Sequence, residues 1–200
     1  MDVAVFISNC KKAGGQNRLK YVKEMMEYIP MHSYGGCLGN RKEQEIPYDD
    51  RWPKHDQRRA RKHKTLRQYK FYLAFENTGV RDYVSEKVYD SLIGGALPVY
   101  RGAEGIRKFM PHEHSYVNGN GMSPKELADT LISLGKDEVA YNKYFEWKSE
   151  PLDPKFKMMM ERSYTHPNVL CRLCDYAAMK RGSATRLLAE SVENATNTMF

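Results

Sequence analysis

Two cations far apart in sequence are the side chains best suited to chemistry on an anion. Arg18 opens an apolar pattern, Leu19, Val22, Met25, Met26 and Ile29, whose spacing predicts an amphipathic helix with Asn17 as its cap. Lys87 stands in the first turn of a second predicted helix, after Ser85 as cap and beside Glu86. Each helix follows an apolar run that reads as a buried strand, residues 3–8 and 69–75. Both cations therefore fall at the carboxyl edge of a parallel sheet, where helix N-termini present free N–H groups and a diphosphate would lie. The bland alternatives are a solvated arginine at a helix start and an ordinary helical first turn at Glu86 and Lys87.

Between the second strand and its helix lie Glu76, Asn77 and Thr78. Asn77 and Thr78 offer neutral donors to phosphate or sugar oxygens. Glu76 either orients them or caps a loop. Tyr34, before Gly35-Gly36, falls on the same edge, where glycine lets a ligand approach the backbone closely. Tyr34 either contacts a nucleotide base or packs.

The elements that must position these residues are legible. Residues 69–102 contain a strand, a polar turn, a helix carrying Val88, Leu92 and Ile93, the Gly94-Gly95 stop and a second strand. That is a right-handed parallel βαβ unit. Residues 3–34 repeat the rhythm, with Pro30 ending the helix and residues 31–34 a short strand. Further on come a short helix over 103–110, a last strand over 115–118, a capped helix starting at Ser123-Pro124 and ended by Gly135, and a helix over 137–147. Beyond Pro151 the pattern loosens into short helices, with Met158 to Met160 as core filling. The fold class is α/β, a parallel sheet flanked by helices over 1–150 with a helical C-terminal extension over 151–200.

Hydrophobic residues at 41% and aromatic residues at 12% describe a folded globular chain. No stretch reaches the roughly 18 to 20 apolar residues of a membrane span. The start reads as a buried strand, so the chain carries no signal peptide or anchor. The net charge of +7 has a local origin: residues 51–70 hold nine lysines and arginines against Asp56 alone. This segment is a solvated helical face, an electropositive rim that draws in an anion, or an RNA-binding surface. Aromatic residues are not interleaved with its charges, which argues against RNA. Cys10, Cys37, Cys171 and Cys174 form two disulfides in an oxidising lumen or remain thiols, and a lone CxxC is a weak zinc half-site. Asn194-Ala195-Thr196 is a glycosylation sequon.

The order FENT at 75–78, DYVSEK at 82–87 and LPVYRG at 97–102 resembles the signature of the α1,3-fucosyltransferases. SNC at 8–10, SYGGC at 33–37, Trp147-Lys148 and CRLC at 171–174 agree with it. The likeness covers the chain to about residue 175 and is closest to the plant and invertebrate branch that fucosylates the N-glycan core. It implies a Rossmann-like donor domain, the C-terminal half of a two-domain GT-B architecture, binding GDP-fucose without an obligatory metal. It implies pyrophosphate contacts for Arg18 and Lys87, ribose hydroxyls for Glu86, and a nucleotide pocket lined by Tyr83, with Asn77, Thr78 and Tyr34 nearby. Transfer would be α1,3, to a GlcNAc hydroxyl of a glycan, at the lumenal face of the Golgi membrane for a full-length member. The general base would come from an N-terminal acceptor domain, so this chain alone would bind donor without efficient transfer. The alternatives are a catalytically silent nucleotide-sugar-binding protein and a basic RNA-binding domain.

Overall fold

Five short strands form one all-parallel sheet: β1 (Val3–Phe6), β2 (His32–Tyr34), β3 (Phe71–Phe75), β4 (Leu97–Arg101) and β5 (Val117–Asn118). Their order is β2-β1-β3-β4-β5. The computed structural model describes residues 2–10, 18–43, 45, 47–48 and 56–161. The chain divides into two compact units, Met1–Asp153 and Pro154–Phe200, and the sheet belongs to the first.

The alternation along β3 sorts its side chains onto two cores. Phe71, Leu73 and Phe75 face one side, with Val3 and Val5 of β1, and meet α1 (Arg18–Met25) and α4 (Pro124–Lys136) through Val22, Met25, Leu127 and Leu131. Tyr72 and Ala74 face the other, with Tyr100, and meet α2 (Gln57–Leu66) and α3 (Glu86–Gly94) through Leu66 and Val88. Both faces are covered, as a parallel sheet requires. Each fully buried large apolar side chain contributes roughly 1.5 to 3 kcal/mol by transfer from water.

The chain runs from β1 through α1 to β2 at the edge, then returns past β1 through α2 to β3. This reversal makes the carboxyl ends of β1 and β3 the topological switch point, where open α/β sheets bind ligands.

Most predicted boundaries hold within a few residues, and the exceptions have physical causes. Ser85 takes the N-cap position of α3 but makes no side-chain cap bond, because its hydroxyl is given to Glu76. Ile93 is 55% exposed, so the apolar stripe of α3 is narrower than predicted. Gly135 does not end α4, which continues to Lys136 before Asp137 caps the short helix α5 (Glu138–Lys143). The predicted helix over 137–147 is broken into α5 and a 3-10 turn at Glu146–Ser149. Met158 and Met160, on α6 (Pro154–Glu161), are 45% and 48% exposed and do not fill a core. Predictions for Asn17, for the helices and CxxC beyond residue 161, and for the sequon lie outside the described residues.

Candidate functional site

The switch point carries a cleft of about 490 Å3. Arg18, Asn77, Glu86 and Lys87 all line it. Arg18 reaches it from the first turn of α1 and Lys87 from the first turn of α3, the helices that follow the neighbouring strands β1 and β3.

Each cation is held in place. Arg18 Nη1 donates to the Phe75 carbonyl at 3.0 Å, which fastens the side chain to the tip of β3. Burial pulls the Arg18 pKa below the ordinary arginine value, and the nearby Tyr72, Glu76 and Tyr83 oppose that. An arginine stays charged at neutral pH through such a change. Lys87 Nζ donates to Glu76 Oε2 at 3.0 Å and to Ser85 Oγ at 2.7 Å. Glu76 is fully buried and also accepts from the Ser85 N–H at 2.7 Å. A buried carboxylate needs such partners. Glu76 therefore orients Lys87 and Ser85, and not Asn77 and Thr78. Gly102 makes room for it: a Cβ there would lie 2.8 Å from Glu76 Cγ and 2.5 Å from the Tyr100 hydroxyl.

Three of the predicted residues stand apart from the cleft lining. Tyr34 is 3% exposed, stacks on Phe6 at 4.6 Å and shares a 2.6 Å hydrogen bond with the Tyr69 hydroxyl. Of its two proposed roles, packing is the one its surroundings fit. Thr78 Oγ1 accepts from the Val80 N–H at 3.4 Å, closing a turn. Tyr83 is 39% exposed on the loop between β3 and α3.

The cleft also has a wall that the motif residues did not identify. Arg58, Arg59 and Lys62 of α2 line it, beside Ser8 and Asn9 of the SNC motif after β1. Asp90 of α3, 1% exposed, accepts from Arg59 Nε at 2.9 Å and Lys62 Nζ at 2.9 Å, and His63 Nε2 lies 2.8 Å from it. Of the three readings of this segment, the solvated face does not hold, since Ala60, His63, Thr65 and Leu66 are buried, and the electropositive rim is the one that Arg58, Arg59 and Lys62 in the cleft lining fit. The signal was present in sequence: Arg59, Lys62 and His63 at i, i+3 and i+4 share one helix face, and Asp90 sits one turn beyond Glu86.

Cys10 and Cys37 form a disulfide with an S–S distance of 2.00 Å, joining the loops that follow β1 and β2. A second cleft of about 540 Å3 lies at the ends of β4 and β5, lined by Gly79, Arg101, Gly102, Lys108 and Asn120 among others. None of the predicted site residues lines it. Among the described residues, no helix is long and apolar enough to cross a membrane.

Comparison with known proteins agrees with this geometry. Residues 1–194 match the family model described as glycosyltransferase family 10 (fucosyltransferase) C-term. A putative fucosyltransferase-like protein of Arabidopsis thaliana is 35% identical over 180 residues, 88% of this chain and 31% of the relative. An α-(1,4)-fucosyltransferase of Arabidopsis thaliana is 32% identical over 194 residues, 90% of this chain and 46% of the relative. A GDP-fucose protein O-fucosyltransferase 3 of Xenopus tropicalis is 40% identical over 133 residues, 66% of this chain and 27% of the relative. The chain thus spans less than half the length of these relatives. Among solved structures, an α1,3-fucosyltransferase with GDP superposes with a TM-score of 0.58 at 24% identity, over 76% of this chain and 39% of that one. An α1,3-fucosyltransferase with GDP-fucose gives 0.57 at 22% identity, over 84% and 49%. These likenesses carry the parallel-sheet fold, and the family match over nearly the whole sequence carries the assignment: the chain belongs to glycosyltransferase family 10, the fucosyltransferases, and corresponds to the family's C-terminal part.

Proposed function

We propose that this chain is the donor-binding part of a fucosyltransferase that takes GDP-fucose. The observation that carries this is the convergence of Arg18 and Lys87, from neighbouring strand tips, on one cleft at the switch point. Arg18 and Lys87 neutralise the diphosphate, Glu86 accepts from the ribose hydroxyls, and Asn77 donates to phosphate or fucose oxygens. Tyr83 and Thr78 belong to the loop bordering that pocket. In the transfer, an acceptor hydroxyl attacks C1 of fucose in line. The bond from C1 to the β-phosphate oxygen breaks, and GDP leaves with the electron pair. A base takes the hydroxyl proton, and one displacement inverts the configuration. Cations stabilise the charge that develops on the leaving diphosphate.

The acceptor is a GlcNAc hydroxyl of a glycan, joined in α1,3 linkage. The motif order FENT, DYVSEK and LPVYRG supports that reading, and the Cys10–Cys37 disulfide supports a lumenal, Golgi location for the whole protein. A protein hydroxyl is the second reading, favoured by the 40% identical relative that is a protein O-fucosyltransferase. Assays of the longer protein with an N-glycan and with a folded protein acceptor separate the two.

Calorimetry on the purified chain tests the donor reading. GDP should bind, and Arg18→Ala should weaken it on the order of tenfold or more, the loss of one charge-assisted hydrogen bond. A folded wild-type chain that takes up no GDP would overturn the proposal. Arg18 is the cleaner probe, because Lys87→Ala would also strand the buried Glu76 carboxylate.

A further inference from the structure

We propose that the cations of α2, added to Arg18 and Lys87, make the donor cleft net positive, with Asp90 as the positioning residue that holds Arg59 and Lys62 there. This rests on the donor reading above and assigns it a wall that the family's motif residues do not include.

Of the two strand-tip cations, Lys87 is largely balanced before any ligand arrives. Lys87 Nζ lies 3.0 Å from Glu76 Oε2 and 3.6 Å from Glu86 Oε1. Without Arg58, Arg59 and Lys62, the lining would hold Arg18 and Lys87 against the four carboxylates Glu43, Asp56, Glu86 and Asp90. A nucleoside diphosphate, carrying about two to three negative charges, would meet a net negative surface and be repelled. Arg58, Arg59 and Lys62 change that sign.

Their placement is specific. Arg58 Nη2 donates to Ser8 Oγ at 3.0 Å, carrying charge from α2 to the loop after β1. Lys62 Nζ lies 5.4 Å from the centre of the Phe6 ring and 4.9 Å from that of Tyr72, two rings that also line the cleft. Arg59 and Lys62 share the single carboxylate of Asp90, with His63 on the same oxygen as Arg59. One negative charge cannot neutralise two permanent cations, so a surplus remains beside the cleft. Burial of Asp90 at 1% exposure keeps that anchor away from solvent and from salt. The arrangement differs from a stability-only ion pair, in which charges match one to one.

The test uses the purified 200-residue chain with GDP and with guanosine, by calorimetry at low and moderate salt. Arg58→Gln and Arg59→Gln replace side chains at least partly exposed to solvent, so the fold should persist. Each should weaken GDP about tenfold, leave guanosine unchanged and flatten the salt dependence. Asp90→Asn, checked as folded by circular dichroism at the assay temperature, removes a negative charge along with the anchor, and if positioning dominates it should still narrow the affinity gap between GDP and guanosine; a widened gap would overturn the positioning role of Asp90. Wild-type affinity for GDP in Arg58→Gln and Arg59→Gln, or equal losses for GDP and guanosine, would overturn the proposal. If those variants are neutral while Arg18→Ala weakens GDP, only the α2 assignment falls. A folded wild-type chain without GDP affinity removes the donor reading itself.

Discussion

Asp90 is a carboxylate in a site where burial alone would push its pKa up. The His63 hydrogen bond, the Lys62 ammonium and the Arg59 guanidinium outweigh burial and lower it from 3.8 to about 2. Burial likewise works against the Lys62 ammonium, and its neighbours Tyr72 and Asp90 outweigh it, so Lys62 lies above the ordinary lysine value. A carboxyl depressed in the folded state stabilises the protein above its unfolded pKa and loses that contribution as pH falls through its folded value. For Asp90 the contribution is fully present above about pH 5, declines towards about pH 2, and is on the order of 2 kcal/mol. Denaturant unfolding of the wild-type chain and Asp90→Asn across that range should therefore show the steeper acid loss in wild type. Parallel curves would mean that Asp90 is not depressed. The residue itself was hard to see in the sequence. Asn77 announces itself by lying just after a strand, and Arg18, Glu86 and Lys87 by opening the helices that follow strands, whereas Asp90 gains its meaning only from a helix some thirty residues upstream, across a tertiary contact.

At the level of elements, α2 and α3 approach closely because Gly94 has no side chain. A Cβ at that position would lie 2.7 Å from Leu66 Cβ and 3.1 Å from Leu66 Cδ1. The first of these atoms cannot swing aside, so Gly94→Ala must push the helices apart. Alanine is the better helix former by about 1 kcal/mol, and overpacking typically costs about 1 to 3 kcal/mol. The net effect should be a thermal midpoint lower by a few degrees, with weaker GDP binding as α2 moves away from the cleft. An unchanged midpoint would show that α2 tolerates displacement. The strands and α4 were legible because apolar alternation and the Ser123–Glu126 capping box are local signals, and both appear in the structure. α2 was legible as a helix, and as a cleft wall only as one of three readings, the electropositive rim. Its charges outnumber its apolar anchors, and what fixes it to α3 is a buried carboxylate together with Leu66 against Gly94, instead of a continuous stripe. Ser85 misled for a related reason, since its cap position was right while its hydroxyl served Glu76.

For the molecule as a whole, the order β2-β1-β3-β4-β5 concentrates the cations at one crevice, yet Asp90, Glu76 and Glu86, the carboxylates packed among those cations, are poorly placed to act as a base. A general base works best with a pKa near the operating pH. Asp90 is held at about 2 by its three partners, and Glu76 is buried beneath Lys87 and Ser85. Glu86 is accessible, its side chain 54% exposed, but it sits 3.6 Å from Lys87, and the proposed mechanism commits it to the ribose. The relatives matched are at least twice as long as the segment they share with this chain, so they have other residues from which a base can come. The chain should therefore bind GDP-fucose yet pass fucose to an N-glycan acceptor at least about a hundredfold more slowly than a full-length protein containing it, the low end of what a positioned base contributes. Radiolabelled fucose transfer, measured beside donor binding on the same preparation, checks this. Full turnover by the chain alone would mean that one of its own carboxylates takes the proton. Glu86→Gln would then separate the two roles, abolishing transfer if Glu86 is the base and weakening donor binding first if it holds the ribose.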